Sequence, residues 1–219
     1  MPMTKIKYVS LGSSCAAAMG IRNNDKHNET YPFDWIRTNT LIIYDILQNG
    51  VQSFFKFNND LSDRDNVIVH MYSCWNDKYK HINPYGVHFT HYDNLSVNEI
   101  EVKFNRHFHR FFNLLNNSDQ IIFFRSTEEY IFHKKSRENK DIYYTFLCKI
   151  NDLLKNKFPN LNFKIINMEI ENKHEDYGNI INENVDYNYK ITDLCEGHKN
   201  PNLSSYRNSI SNIIKQYVN

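Results

Sequence analysis

The 219-residue chain contains no apolar run approaching the roughly 20 residues needed to span a bilayer. Its start, Met1-Pro2-Met3-Thr4-Lys5, leads into a short strand-like segment without the apolar stretch of a signal peptide. Both absences predict an unexported protein with no membrane partner. Charge of one sign is missing too, since 26 Lys+Arg nearly cancel 25 Asp+Glu to leave a formal net charge of +1. Nothing in that balance calls for nucleic acid or an anionic surface as partner. Cysteine is sparse: Cys15, Cys74, Cys148 and Cys195 are widely separated and form no CxxC pair. A chain of this size does not need disulfides, so reduced thiols in a cytoplasmic, intracellular setting are expected.

Cofactor signatures are equally absent. Gly12-Ser13-Ser14-Cys15 lacks the later glycines of a dinucleotide fingerprint and the Gly-Lys-Ser/Thr ending of a phosphate loop. The 10 histidines are scattered, and neither His88/His91 nor His107/His109 joins a cysteine or carboxylate at a familiar zinc spacing. No cofactor and no metal are expected. Internal repeats and flexible linkers are missing, and the frequent asparagine pairs fall where turns and helix ends are expected. With 41% hydrophobic and 15% aromatic residues the chain can bury a core, and 1–219 reads as a single α/β domain.

What is present is an alternation of short apolar runs and longer amphipathic ones. Strands are predicted at 5–11, 66–71, 86–90, 120–125, 162–168 and, more weakly, 187–192, and helices at 15–22, 40–48, 97–115, 140–157 and 203–217. Ile121-Ile122-Phe123-Phe124 and Phe163-Lys164-Ile165-Ile166 have the apolar look of strands buried on both faces. Ser96 with Glu99 forms a capping-box start for the third helix, and Pro159 follows the fourth. This order predicts an α/β fold of three layers, a mostly parallel sheet flanked by helices. The polar stretch 171–186 reads as a surface loop.

In such a sheet, ligands gather outside the carboxyl ends of the strands. Gly12, Ser13, Ser14 and Cys15 lie there after the first strand, and Arg125 after the central one. A cysteine opening a helix after a glycine turn can be kept as thiolate by backbone amides and the helix dipole. Cysteine is also a common small core residue, so the packing role stands beside the chemical one. His91, and less so His88, could reach the thiolate from a strand-like run, although histidines in aromatic surroundings are commonly structural. Arg106 and Arg110 lie four apart on one helix. Arg106 reads as solvated, and Arg110, beside the aromatic stripe, as the one able to turn inward toward a carboxylate or phosphate.

Near the far end, Asp193-Leu194-Cys195-Glu196-Gly197-His198-Lys199-Asn200-Pro201 resembles the segment before the terminal helix of SGNH-type esterases. That resemblance implies His198 as general base, oriented by Asp193 or Glu196, and Ser14 in the nucleophile's alignment position.

Ser10-Leu11-Gly12-Ser13-Ser14-Cys15 and Tyr31-Pro32-Phe33-Asp34-Trp35-Ile36 together carry a more specific likeness. The pair resembles a family of papain-like cysteine peptidases, known as a domain of unknown function in bacteria and large DNA viruses. His91, the Arg106 to Phe111 helix and Phe124-Arg125 match its further features, so the likeness covers roughly the first 130 residues. It implies a Cys/His hydrolase, with a papain-like α+β core as the alternative fold. Asp34 and Trp35 are expected as pocket wall or loop tie. The expected substrate is an acyl, peptide or glycan-type group. Two other functions remain open: a non-catalytic recognition module using Arg110, Arg125 and Trp35, and an acyltransferase of polysaccharide modification.

Overall fold

The computed structural model describes residues 6–13, 15–25, 29–36, 38–51, 71–72, 87–88, 91–92, 95–126, 140–170, 174–185 and 203–218. In chain order the described elements are β1 (Ile6–Ser10), α1 (Cys15–Asn24), α2 (Thr40–Asn49), β2 (Met71–Tyr72), β3 (Val87–His88) and α3 (Val97–Asn117). There follow β4 (Gln120–Ser126), α4 (Lys140–Lys157), β5 (Phe163–Glu169), β6 (Ile180–Asn184) and α5 (Leu203–Val218).

The main sheet has the order β1-β4-β5-β6, and every pairing in it is parallel. β2 and β3 make a separate antiparallel pair in which Met71 faces His88. Alternation along β4 explains the layering. Ile121 and Phe123 enter one core with Val9, Phe163 and Ile165, beneath α2, α3 and α4. Ile122 and Phe124 enter the other with Ile166 and Met168, beneath α1 and α5. A strand apolar on both faces must be covered on both, and the result is an α/β fold of three layers.

Local chemistry sets the element boundaries. Asn39 caps α2 by accepting from the Ile42 amide at 3.1 Å. Ser96 and Glu99 form the expected capping box of α3, with Glu99 Oε2 accepting from the Ser96 amide at 2.8 Å. Lys157 at the end of α4 donates to the Leu47 carbonyl at 2.7 Å, satisfying the last turn of α2. α1 and α5 approach closely because α1 offers Ala16, Ala17 and Gly20, and a Cβ at Gly20 would lie 2.5 Å from Ile214 Cδ1.

One expectation needs correction. The stretch 171–186 was expected as a surface loop, yet it contains β6, which pairs with β5 from Ile165↔Ile180 to Glu169↔Asn184. Its sequence Ile-Ile-Asn-Glu-Asn has little apolar signal because backbone pairing and side-chain hydrogen bonds hold this strand, with Ile180 its one fully buried side chain. The strand expected at 187–192 lies outside the described residues.

Candidate active site

The chain leaves β1 through two consecutive left-handed residues, Gly12 (φ 74) and Ser13 (φ 76). The first must be glycine for a second reason: a Cβ there would lie 2.6 Å from Thr38 Cγ2. The Leu11 amide donates to the Phe124 carbonyl at 2.8 Å and the Gly12 amide to Ser10 Oγ at 3.0 Å, so the turn is tied to β4 and to itself. Two residues past Ser13 the chain restarts as a helix, and Cys15 is its first residue, half-buried. Neither Cys15 nor Cys148 is in a disulfide.

The turn is held from below by Arg125, 2% exposed at the carboxyl end of β4. Its Nη1 donates to the Leu11 carbonyl at 2.8 Å and its Nη2 to the Thr38 carbonyl at 3.2 Å. Arg125, read from the sequence as a substrate-binding residue, directs these two donors at the backbone that shapes the turn. From above, α5 supplies a residue that carries no local signal, since Arg207 looks like any arginine on a terminal helix. Its Nη2 lies 3.9 Å from Cys15 Sγ.

The Tyr31 to Trp35 loop packs against the same turn. Phe33 is fully buried, edge-on to Phe108 and Phe111 of α3 at 5.9 and 5.5 Å between ring centroids. Asp34 is a loop tie, as expected: its Oδ2 accepts from the Tyr31 amide at 2.9 Å. Burial pushes the Asp34 carboxyl up to about 7, against the pull of that hydrogen bond and of the charges on Arg22 and Arg110. Trp35 is half-buried, with the Arg22 guanidinium 4.7 Å from its ring centroid and His91 edge-on at 5.6 Å. His91 is exposed and so reaches α1 through Trp35 and Arg22.

Arg110 is half-buried, as its place beside the aromatic stripe suggested, and its charge acts on Glu29, Tyr31 and Asp34. Arg106 is exposed. His107, next to Arg106 and one turn before Arg110, is 2% exposed, and burial, with the charges of Arg110, Lys103 and Arg106, pushes its imidazole down to about 4. A cavity of about 20 Å³, room for one water, lies between Lys7, Tyr8, Ala18, Arg22, Tyr31 and Asp34.

A second polar centre sits at the carboxyl ends of β5 and β6. His174 Nδ1 lies 2.8 Å from Glu169 Oε2, and its ring stacks on Tyr144 at 3.9 Å. Asn167 donates to Glu169 Oε1 at 2.9 Å and to Asn182 Oδ1 at 2.8 Å. This network fastens the short crossover between the two strands. Among the described residues no group of three His, Cys, Asp or Glu side chains is placed to hold a metal ion. Nor is any described helix long and apolar enough to cross a membrane.

Ser14, Asp193, Glu196 and His198 lie outside the described residues, as do the His88 side chain and the segment that resembles SGNH-type esterases. The structure thus brings Gly12, Ser13, Cys15 and Arg125 together at one turn, with Asp34 and Trp35 on the loop beside it.

The fold is that of an α/β protein, with a cysteine opening its first helix after a glycine turn. More narrowly, residues 6–173 match the family described as "Putative papain-like cysteine peptidase", and the chain belongs to that family. An uncharacterized protein of Acanthamoeba polyphaga mimivirus is 25% identical over 157 residues, covering 60% of this chain and 66% of its own length. No solved structure matches the chain.

Proposed function

We propose that the chain is a cysteine-dependent acyl hydrolase in which Cys15 is the nucleophile. The observation that carries this reading is the position of Cys15: first residue of α1, at the carboxyl edge of a parallel sheet, with a guanidinium 3.9 Å from its sulfur. A helix N-terminus and a neighbouring cation both favour thiolate. Sγ attacks the acyl carbon, and the carbonyl electron pair moves to oxygen, where backbone amides near Ser13 to Ala16 receive it. The leaving group departs with a proton from an imidazole, and water then releases the acyl group from the thioester. His198, oriented by Asp193 or Glu196, and His91, on the Trp35 wall, are the two candidates for that imidazole. Ser14 is the alternative nucleophile in the SGNH-like variant of the reading.

The family description points to a peptide bond as the substrate, and the free Cys15 suits a reducing compartment. Ester and glycan-borne acyl groups are the other substrates to be compared. Trp35, Arg110, Gly12 and Ser13 are the residues assigned to substrate binding in this reading.

The test is labelling by an electrophilic acyl probe, read by mass spectrometry of the modified peptide. Cys15→Ala abolishes labelling and hydrolysis, and His198→Ala or His91→Ala suppresses turnover according to which is the base. Undiminished labelling of the Cys15→Ala variant would rule the proposal out.

A further inference from the structure

We propose that Arg207 of α5 is a catalytic residue of the Cys15 centre, acting as the counter-cation that holds Sγ as thiolate. This rests on the reading of Cys15 as nucleophile, and it adds a residue outside the segment 6–173 that the family match covers.

The argument begins with what the arginines do. Arg125 spends its donors on two carbonyls. Arg22 lies over Trp35 and donates to Thr30 Oγ1 at 2.9 Å. Arg207 differs, having no carboxylate partner among the described residues. Its Nη2 faces Cys15 Sγ, and its Nε is buried without a hydrogen-bond partner. Nε and Nη2 form one edge of the guanidinium fork, the edge that elsewhere grips an anion through two parallel N–H groups. Here one donor of that edge, Nη2, meets a thiol. A half-buried cation without an anion is costly, and the cost falls when the sulfur carries the negative charge.

The other charged groups on the elements around Cys15 are otherwise engaged or remote. Lys7 of β1 pairs with Glu29 at 3.0 Å, Asp25 follows the end of α1, and Lys215 lies in the last turn of α5.

A guanidinium donates hydrogen bonds but gives up no proton in the reaction. Its part is electrostatic. The thiol proton passes to the imidazole base, the S–C bond forms as the carbonyl π pair moves to oxygen, and the negative charge passes from sulfur to that oxygen. When the pair returns, the bond to the leaving group breaks and the leaving group takes the proton from the imidazolium.

The experiment is the pH profile of Cys15 alkylation by iodoacetamide, followed on the Cys15 peptide in the full chain, for the native protein, Arg207→Met and Arg207→Lys. The native midpoint is expected below the ordinary thiol value of about 8.5. Arg207→Met is expected to raise it by about one unit, a tenfold loss of thiolate at any pH below both midpoints, with Arg207→Lys between the two. Equal midpoints in the native protein and Arg207→Met overturn the proposal. If Arg207→Met does not fold, the native midpoint decides alone, and a value at or above about 8.5 overturns it. Acyl-probe labelling keeps the two readings apart: acylation with an unmoved midpoint removes Arg207 and leaves the nucleophile standing, whereas a moved midpoint without acylation removes the nucleophile, and with it the catalytic role of Arg207, leaving only a cation beside a thiolate.

Discussion

Phe33 stands so close to Gly12 that a Cβ on the glycine would lie 3.3 Å from both the Phe33 Cβ and its carbonyl oxygen. The two most specific stretches of the sequence, the cysteine turn and the Pro-Phe-Asp-Trp loop, are therefore opposite walls of one contact. Their joint presence has a packing cause: only a residue without a side chain lets the loop sit against the turn.

Gly12→Ala combines a left-handed backbone cost with a backbone-flanked overlap at Thr38. It should lose roughly 2–4 kcal/mol of stability in urea unfolding. Gly50 also has positive φ (83), but nothing stands within 4 Å of an added Cβ. Gly50→Ala should then show the backbone cost alone, about 1 kcal/mol. Equal losses in the two variants would show that the overlap with the loop carries no weight.

Removing the Arg125 fork leaves the Leu11 and Thr38 carbonyls without their donors in a buried site. Arg125→Met should cost about 3 kcal/mol, and Arg125→Lys less, because an ammonium reaches one carbonyl but not both. Chemical denaturation reads this directly. A native-like Arg125→Met would mean that the turn is held by β4 pairing alone.

Two buried groups pull stability in opposite directions with pH. Asp34 titrates at about 7 in the fold and near 4 when unfolded, so its contribution is full below about pH 4 and is lost as pH rises to about 7. His107 titrates at about 4 in the fold and near 6.5 unfolded, so its contribution is present above about pH 6.5 and is lost as pH falls toward 4. Over that shared window the two slopes offset each other. Asp34→Asn should expose a stability that rises with pH, and His107→Gln one that falls. Thermal melts from pH 4 to pH 7 check both signs, and parallel profiles in the two variants would exclude this assignment.

Glu169 joins two partners, His174 Nδ1 and Asn167 Nδ2. Glu169→Ala removes one acceptor from each and should cost about 1–2 kcal/mol, whereas Glu169→Gln should cost less because an amide can still accept from Asn167. Hydrogen exchange should quicken first in 174–179, the crossover that this network fastens. Uniform quickening across the sheet would instead place Glu169 in the global core.

The long elements were legible because each carries its own signal. The 3.6-residue stripe of α3 and its Ser96–Glu99 box mark it without reference to the rest of the fold. β4 and β5 declare themselves by unbroken apolar runs that only a doubly covered strand tolerates. β6 was not legible, since Asn182 and Glu183 serve hydrogen bonds to Asn167 and Tyr217 rather than a core. Cys15 and the Asp34 tie could be found from local motifs. Arg207 could not, for its meaning lies wholly in a contact 192 residues away in the chain. Arg125 shows the converse: its position at a strand end was readable, but its commitment to two carbonyls depends on how the turn and Thr38 come together.

The close fit of Gly20 beneath Ile214 also orders events during synthesis. α1 leaves the ribosome well before α5, and the side it presents to α5 is made of alanine and glycine, too small to cover itself. Until α5 emerges that side faces water, and Cys15 has no guanidinium beside it. A nascent chain halted before α5 carries a thiol like any on an unfolded peptide, so the arrival of the late helix both closes the second core and completes the surroundings of the early cysteine.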